Sequence, residues 1–168
     1  TPVRDVQSLC EAVTEFAVIA GRRLRAQGEL AGSLTVTLTS GRFRDAWCRR
    51  SDRRLVHPAT DSDLRLIRAA TESARCLYED GADYGKAEVT LSDLSSAREK
   101  QLTLFEPSLD RGSTLSRVAD RLNAETGRKF LQPAILMGEK AWRPRKDMCS
   151  SVRLEELEFL PMVGWQGE

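Results

Sequence analysis

The sequence predicts an α+β domain in which two amphipathic helices cover one face of an antiparallel sheet and leave the other face open. Three observations lead to this fold class. A long segment with apolar residues at three- and four-residue spacing precedes a strictly alternating segment. A second helical segment and a further alternating segment follow, so helices and strands are interleaved. The alternating segments have one apolar side and one polar side, which is typical of a sheet covered on a single face.

The first helix is predicted over residues 5–27. Apolar side chains recur every three or four residues from Val6 to Leu24, which places them on one face. Arginines gather near the C-terminal end, where the helix dipole favours cations, and Gly28 then ends the helix. The segment therefore has both the periodicity and the end signals of an amphipathic helix.

Residues 34–39 are predicted to form a half-buried strand, because apolar and polar residues alternate without interruption. An arginine-rich hairpin region begins after this strand, and a short second strand is expected over residues 54–57 before Pro58 closes it. The first strand directs Leu34, Val36 and Leu38 inward and Thr35, Thr37 and Thr39 outward.

The second helix is predicted to begin with Thr60 or Asp61 as its cap and to continue to about Tyr78. Gly81 stops it, and residues 84–91 form a further alternating strand. The apolar stripe of the helix consists of Leu64, Ile67, Ala70, Ala74 and Leu77. The strand directs Ala87, Val89 and Leu91 inward and Lys86, Glu88 and Thr90 outward.

The open face of this sheet is the candidate binding surface. Its hydroxyl and cationic groups suit the phosphate and sugar oxygens of a nucleic-acid backbone better than they suit a protein partner, because they offer little apolar area. A solvated face without a partner and a dimerisation surface are the alternatives. The residues assigned to backbone contact are Thr35, Thr37, Thr39, Arg42, Arg44, Lys86 and Thr90.

Residues 95–112 are predicted to be an exposed linker that carries a docking peptide. A charged run precedes the peptide and a breaker-rich run follows it, so its large apolar side chains gain burial only in a partner's pocket. Burial of Leu104 and Phe105 would contribute roughly 3–6 kcal/mol before ordering costs, which suits a micromolar tether. The alternative is a helix turn or short strand packed on the chain's own core. The residues assigned to docking are Gln101, Leu102, Leu104 and Phe105.

A small mixed unit is predicted over residues 113–168. Ser113 or Thr114 would cap its helix, Gly127 would end it, and one short strand or two would follow near residues 130–136. One face of the helix carries Leu115, Val118, Ala119 and Leu122.

Composition limits the classes of partner and location. The 168 residues carry a formal net charge of only +1, so no whole-molecule field would draw the protein onto nucleic acid or anionic lipid. Arginine is concentrated in residues 22–54, which predicts either a local basic surface or a solvated arginine-rich face. No apolar run could span a membrane and no signal peptide is recognisable, so a cytoplasmic location is predicted. The start at Thr1 without methionine suggests a piece of a longer protein.

The cysteines and acidic residues favour structural roles over catalysis. Four cysteines lie far apart, without the paired spacing of disulfides or zinc ligands. Cys10 and Cys76 fall on apolar helix faces, so they are predicted to be buried side chains of a protein that resides in a reducing compartment. Asp61 and Asp63 look like a metal pair, but the positive pole of a helix start favours carboxylates, so capping is the preferred interpretation. His57 has no neighbouring nucleophile and is assigned to a loop. No catalytic residue, metal or cofactor is therefore expected in this chain.

Several of these segments, in this order, resemble the C-terminal part of UmuC-type Y-family DNA polymerases. Five segments carry this resemblance. Four of them are residues 34–43, 55–61, 101–105 and 118–128, the last followed by Trp142 and Arg145-Lys146. The most specific run is Leu77-Tyr78-x-x-Gly81-x-x-Tyr84-x-Lys86-Ala87-x-Val89-x-Leu91-x-Asp93. The similarity extends over nearly the whole chain.

The resemblance implies that residues 1–94 form a little finger, a four-stranded sheet with two helices that holds primer-template DNA by its backbones. The first strand would precede the first helix, and only residues 1–3 remain for it. The peptide of residues 101–105 would bind the bacterial sliding clamp. Residues 113–168 would be an extension that contacts UmuD-type accessory subunits or the recombinase filament.

The resemblance also implies a parent enzyme, an error-prone translesion DNA polymerase of SOS-type damage tolerance. Its Mg²⁺-binding carboxylates would lie upstream of Thr1, and the clamp tether would supply processivity. Residues 148–152 replace the Ser-Pro-aromatic-Thr-Thr run that is usual in the family, which leaves the role of that run open here. The alternative is a freestanding, non-catalytic adaptor or assembly factor that binds the clamp or DNA.

Overall fold

Three helices and one antiparallel sheet make up the described part of the protein, which confirms the α+β class. The computed structural model describes residues 2–40, 48–99, 111–127, 129–138 and 142. The elements are α1 (Val6–Gln27), β1 (Glu29–Ser40), β2 (Arg49–Thr60), α2 (Asp63–Leu77), β3 (Tyr84–Ser96) and α3 (Arg111–Thr126), with 3₁₀ turns at Ala97–Glu99 and Ala134–Leu136. Strand β3 and the turn after it therefore extend into the segment that was predicted to be a linker.

The sheet has the strand order β2-β1-β3. It contains three strands in the described residues, so the prediction of four strands was wrong. A single antiparallel bridge joins Val3 to Tyr84 on the side of β3 that β1 leaves free, with both backbone N···O distances at 2.9 Å. One bridged pair of residues is too short to count as a strand, and it lies where the fourth strand was expected.

Helices α1 and α2 cover one face of the sheet, as the alternation predicted. Leu34, Val36 and Leu38 are at most 1% exposed, and they meet buried residues of both helices in one cluster. The helices contribute Leu9, Cys10, Val13, Ala17, Leu66, Ala70, Ala74 and Leu77 to this cluster. Removal of this aliphatic surface from water holds the two helices on the sheet.

Strand β2 differs most from its prediction, because it spans twelve residues, Arg49–Thr60, instead of residues 54–57. Pro58 lies inside the strand rather than closing it. An edge strand tolerates proline because one of its sides makes no ladder hydrogen bonds. The register with β1 shifts between Ala31 and Ser33, and this irregularity accommodates the extra residues of β2.

Charged residues on the helix side of β2 explain why its sequence lacks alternating hydropathy. Arg54 donates from Nε to Asp52 at 2.9 Å and to Ser73 of α2 at 3.1 Å. Val56 is the residue of this strand that joins the buried core. Polar pairing therefore takes the place of apolar burial along much of β2.

Helix α2 begins differently from its prediction. Its N-cap is Ser62, which makes no side-chain capping bond. The Thr60 hydroxyl accepts a hydrogen bond from the Ser62 amide at 3.1 Å, and Asp61 accepts one from Arg117 of α3 at 2.8 Å. Neither Thr60 nor Asp61 is therefore the cap, because Thr60 closes a local turn and Asp61 pairs with a distant arginine.

Four of the five residues predicted for the apolar stripe of α2 pack on the core, since Ala70, Ala74 and Leu77 are buried and Ile67 is partly buried. Leu66 is fully buried, whereas Leu64 is 59% exposed. Leu64 is therefore the one residue of the predicted stripe that the structure corrects, and Leu66 takes its place in the core. Cys10 is buried as predicted, but Cys76 is exposed, which corrects the prediction for that cysteine.

A buried arginine joins α1, α2 and α3. The Arg25 side chain is 4% exposed, and hydrogen bonds occupy all five of its N–H donors. Two donors bind Asp63 at 2.7 and 3.0 Å, two bind Asp120 at 2.6 and 3.1 Å, and one binds the Asp61 carbonyl oxygen at 2.7 Å. Burial raises the pKa of Asp63, and the hydrogen bond from Arg25 opposes this shift. Such forked pairing is strong and geometrically selective.

Helix α3 packs on α2 through polar groups. It begins at Arg111, before the cap predicted at residues 113–114. Ser116 is 4% exposed, and its hydroxyl accepts a hydrogen bond from the Asp63 amide at 3.0 Å. The apolar Leu115 is 54% exposed. Polar contacts rather than the apolar face therefore hold α3 in place.

The residues after α3 also lie on the helix layer. A 3₁₀ turn, Ala134–Leu136, replaces the one or two short strands predicted near it. Lys129 Nζ donates to Glu15 at 2.8 Å, and Trp142 meets Phe16 edge to face with ring centroids 5.8 Å apart. Among the described residues, no helix has the combination of length and apolar character that a membrane span requires.

Asp5 caps α1, and its removal is expected to destabilise the fold. Its Oδ1 accepts a hydrogen bond from the Ser8 amide at 2.7 Å, and this bond holds the pKa of Asp5 below its ordinary value of 3.8. We expect Asp5→Ala to lower the free energy of unfolding by about 1 kcal/mol at pH 7. A carboxylate whose pKa is lowered by folding stabilises the protein above its unfolded pKa and loses this contribution as the pH falls.

Urea unfolding of Asp5→Ala and wild type at pH 7 and at pH 3 measures the effect. The difference between the two proteins should shrink at pH 3, because the pH is then below the ordinary pKa of 3.8 and the contribution of the charged cap is being lost. Gln7→Ala, an exposed substitution in the first turn of the same helix, serves as the control. A difference of the same size at both pH values would contradict the contribution of the charged cap.

Candidate nucleic-acid interface

The open face of the sheet consists of cross-strand rows, each with a threonine of β1 at its centre. Directly opposed residues of an antiparallel pair share a face. The register forms the rows Arg53-Thr35-Thr90, Ser51-Thr37-Glu88 and Arg49-Thr39-Lys86. The structure therefore brings together five of the residues predicted for the site, namely Thr35, Thr37, Thr39, Lys86 and Thr90.

Cations rather than hydroxyls form the most accessible part of this face. Thr37 is only 7% exposed, and its Oγ1 lies 2.9 Å from Ser51 Oγ. The other two threonines of β1 are half-buried. The side chains of Arg49 and Lys86, by contrast, are 58% and 66% exposed. A ligand that approaches the sheet would thus meet the ends of these two side chains first.

Glu88 contacts both cations of the neighbouring row. Lys86 Nζ forms an ion pair with it, and Arg49 Nη2 lies 3.5 Å from its Oε2. The hydrogen bond from Lys86 lowers the pKa of Glu88, so the carboxylate stays charged at neutral pH. An incoming phosphate would have to compete with this carboxylate, which limits the affinity that the two cations can supply.

A second carboxylate, Asp93, contacts the other end of the face. Arg53 donates from Nη2 to Asp93 at 2.7 Å and from Nε to the Ser33 hydroxyl at 3.3 Å. Hydrogen bonds from Ser33 and Arg53 lower the pKa of Asp93. The backbone of Asp93 is left-handed, with φ at 53°, and a Cβ on Gly32 would lie 3.1 Å from it. Glycine therefore provides the space for this conformation.

The arginines of β2 are the site residues that the sequence prediction missed. The short strand predicted over residues 54–57 leaves Arg49 and Arg53 in the hairpin region, whereas the structure places both on the open face. Every second residue from Arg49 to Leu55 belongs to this face, and this two-residue spacing is the sequence feature that could have identified the two arginines. A search for alternating hydropathy does not detect it, because most of the residues on both sides of β2 are polar.

Two groups of predicted site residues lie outside the described residues, and their assignments stay predictions. The first group is the pair of hairpin arginines, Arg42 and Arg44. The second group is the docking peptide, with Gln101, Leu102, Leu104 and Phe105.

Asp61 and Asp63 do not have the arrangement of a metal pair. Arg25 binds the Asp63 carboxylate and Arg117 binds that of Asp61, so a different guanidinium group contacts each of the two side chains. In the part of the chain that the structure describes, no group of three or more His, Cys, Asp or Glu side chains is placed to hold a metal ion. His57 lies in β2, in agreement with the strand predicted over residues 54–57, and not in the loop that was preferred over a catalytic role.

A comparison with protein families matches residues 1–104 to the C-terminal domain of the impB/mucB/samB family. The matched range contains α1, α2 and all three strands, so it includes the whole open face. It covers more than half of the 168 residues. Helix α3 and the turn that follows it lie outside the matched range.

Proposed function

The chain belongs to the impB/mucB/samB family of Y-family DNA polymerases, and from this membership we propose that it binds DNA for a translesion polymerase. In this proposal residues 1–94 act as the little finger and hold primer-template DNA by its backbones. Nucleotide transfer belongs to the parent enzyme, an error-prone polymerase of SOS-type damage tolerance. The chain's own task is to position the duplex.

The accessible cations of the open face are the observation that carries this proposal. Arg49, Arg53 and Lys86 have exposed side chains, and they flank hydroxyls of β1 in the two outer rows of the three. Cations and hydroxyls of this kind contact phosphate and sugar oxygens, which are the same at every base pair. We therefore expect sequence-independent binding that weakens steeply with salt, with Glu88 and Asp93 keeping the affinity modest.

Replacement of Arg49 and Lys86 by glutamine tests the open face. We expect the double variant to bind primer-template DNA about 10-fold more weakly in low salt, because it loses two phosphate contacts. The slope of log K against log salt concentration should fall by about 1 to 2. Fluorescence anisotropy of a labelled duplex over a salt series measures both quantities.

Glu88→Gln is the matched control in the same part of the face. It keeps the shape of the side chain but removes the charge that competes with phosphate, so it should tighten binding. Opposite effects of the two substitutions would separate charge from structural damage. Equal affinities of wild type and both variants at every salt concentration would contradict a role of this face in DNA binding.

A second function, docking to the bacterial sliding clamp, is proposed for residues 101–105. The sequence Gln101-Leu102-Thr103-Leu104-Phe105 supports it, since a polar residue is followed by apolar side chains between charged and breaker-rich runs. A docked clamp that encircles DNA would raise the effective concentration of duplex at the open face. Weak binding by the sheet would then be sufficient for the proposed role.

A further inference from the structure

A charged groove runs along the outer edge of β2, where this strand meets α2. It has a volume of about 680 Å³. In the described residues β2 pairs with β1 alone, so its other edge borders the groove. The charged residues that line it are Arg53, Arg54, Arg65, Arg68, Asp52 and Glu72. Four guanidinium groups against two carboxylates leave an excess of two positive charges.

Two of these arginines offer their charge to a ligand. Arg65 Nη2 donates to the His57 carbonyl oxygen at 2.7 Å, so a neutral group holds the side chain in place. Among the described residues, no carboxylate forms an ion pair with it. Arg68 is 83% exposed and pairs with Glu72 only at an i,i+4 helix position, which is a weak interaction. A held guanidinium beside an accessible one suits the oxygens of a phosphate group.

The groove is continuous with the open face of the sheet. Arg53 lies opposite Thr35 on that face, and it also lines the groove. Leu55, which is 78% exposed, belongs to both surfaces in the same way. A nucleic-acid backbone that leaves the open face across β2 would therefore reach the arginines of α2.

Phosphate suits this groove better than an added peptide strand does. A peptide would need a regular row of backbone donors along the edge of β2. Pro58 has no backbone donor, and the irregular register between Ala31 and Ser33 interrupts the ladder near it. Arginine forks, by contrast, bind phosphate without requiring a regular strand edge.

We propose that this groove is a second DNA-backbone site, in which Arg65 and Arg68 bind phosphates of the same primer-template duplex that lies on the open face. The inference rests on the proposed function, because the duplex must first be held by the sheet. It extends the contact surface from the sheet around the edge of β2 and onto α2.

Paired substitutions in the full chain test this site. We expect Arg65→Gln plus Arg68→Gln to weaken primer-template binding about 3- to 30-fold in low salt and to lower the salt slope by about 1 to 2. Arg22→Gln plus Arg23→Gln is the matched control, because these arginines are exposed on α1 and do not line the groove. The control removes the same net charge and should change affinity less than 2-fold. Thermal unfolding of both variants checks that the fold is retained.

The outcomes distinguish this inference from the proposed function. Loss of affinity and slope in the α2 pair but not in the α1 pair supports the groove. Equal losses of affinity in the two double variants would mean that only the net charge of the protein matters. No loss of affinity in the α2 double variant would assign the groove to another ligand, such as an acidic peptide. Either result overturns the inference. If Arg49→Gln plus Lys86→Gln also leaves binding unchanged, or if the wild type does not bind, the proposed function fails as well.

Discussion

Replacement of Arg25 by alanine is expected to lower the free energy of unfolding by about 3 kcal/mol and to release α3 from the other helices. The substitution removes five hydrogen bonds. It also leaves Asp63 and Asp120, whose side chains are 16% and 26% exposed, without their cation. A largely buried carboxylate without a partner costs more than the intact pair contributes. Urea unfolding followed by circular dichroism measures the loss.

Two further variants make this prediction specific. Arg23→Ala is the matched control, because Arg23 is an exposed arginine two residues away on the same helix. Arg25→Lys keeps the charge but cannot fork onto two carboxylates, so it should recover only part of the stability. Gly21 provides space for the cluster, since a Cβ there would lie 2.5 Å from Asp63 Oδ1. Equal stabilities of Arg25→Ala and Arg23→Ala would contradict the role assigned to Arg25.

Alanine at both Leu104 and Phe105 is expected to weaken binding to a bacterial sliding clamp by more than about 100-fold. Each large apolar side chain contributes roughly 1.5–3 kcal/mol when it is fully buried, and about 1.4 kcal/mol corresponds to a factor of ten in affinity. A tether of micromolar affinity would therefore become undetectable. Calorimetric titration of the chain with the purified clamp measures the change.

The chain offers a matched control for this substitution. Leu94 and Phe130 are 49% and 71% exposed, so Leu94→Ala plus Phe130→Ala removes a similar apolar surface outside the peptide. Clamp binding by this control should equal that of the wild type. A wild type that does not bind, or a control that loses as much affinity as the peptide variant, would contradict docking through residues 101–105.

Local periodicity predicted most of the sheet domain. Helix α1, strand β1 and strand β3 direct toward the core most of the side chains that their spacing indicated, because each of them packs one apolar face there. The exception is Val6 at the start of α1, which is 37% exposed. The chemistry of the open face followed from the same alternation. The threonines of β1 share one side of their strand, and Lys86 and Thr90 share one side of β3, since side-chain direction along a strand is a local property. The register between the two strands then joins these sides into one face.

Strand β2 and the start of α2 were predicted less well, because their partners are remote in sequence or polar. The length of β2 depends on pairing with β1 up to Ser40, and its charged residues carry no hydropathy signal. The carboxylates at the start of α2 were assigned to capping. Their actual partners, Arg25 and Arg117, lie 38 and 56 residues away from Asp63 and Asp61. Such partners follow only from how the helices pack.

The sequence by itself determined the α+β class, the inward faces of α1, β1 and β3, and the polar character of the open face, because these depend on residues a few positions apart. Only the tertiary structure decided that the arginines of β2 join that face and that β2 and α2 enclose a basic groove. It also decided that Arg25 holds α3 on the sheet domain. These features arise where elements far apart in the chain meet, and ion pairs and hydrogen bonds there leave no periodic pattern in the sequence.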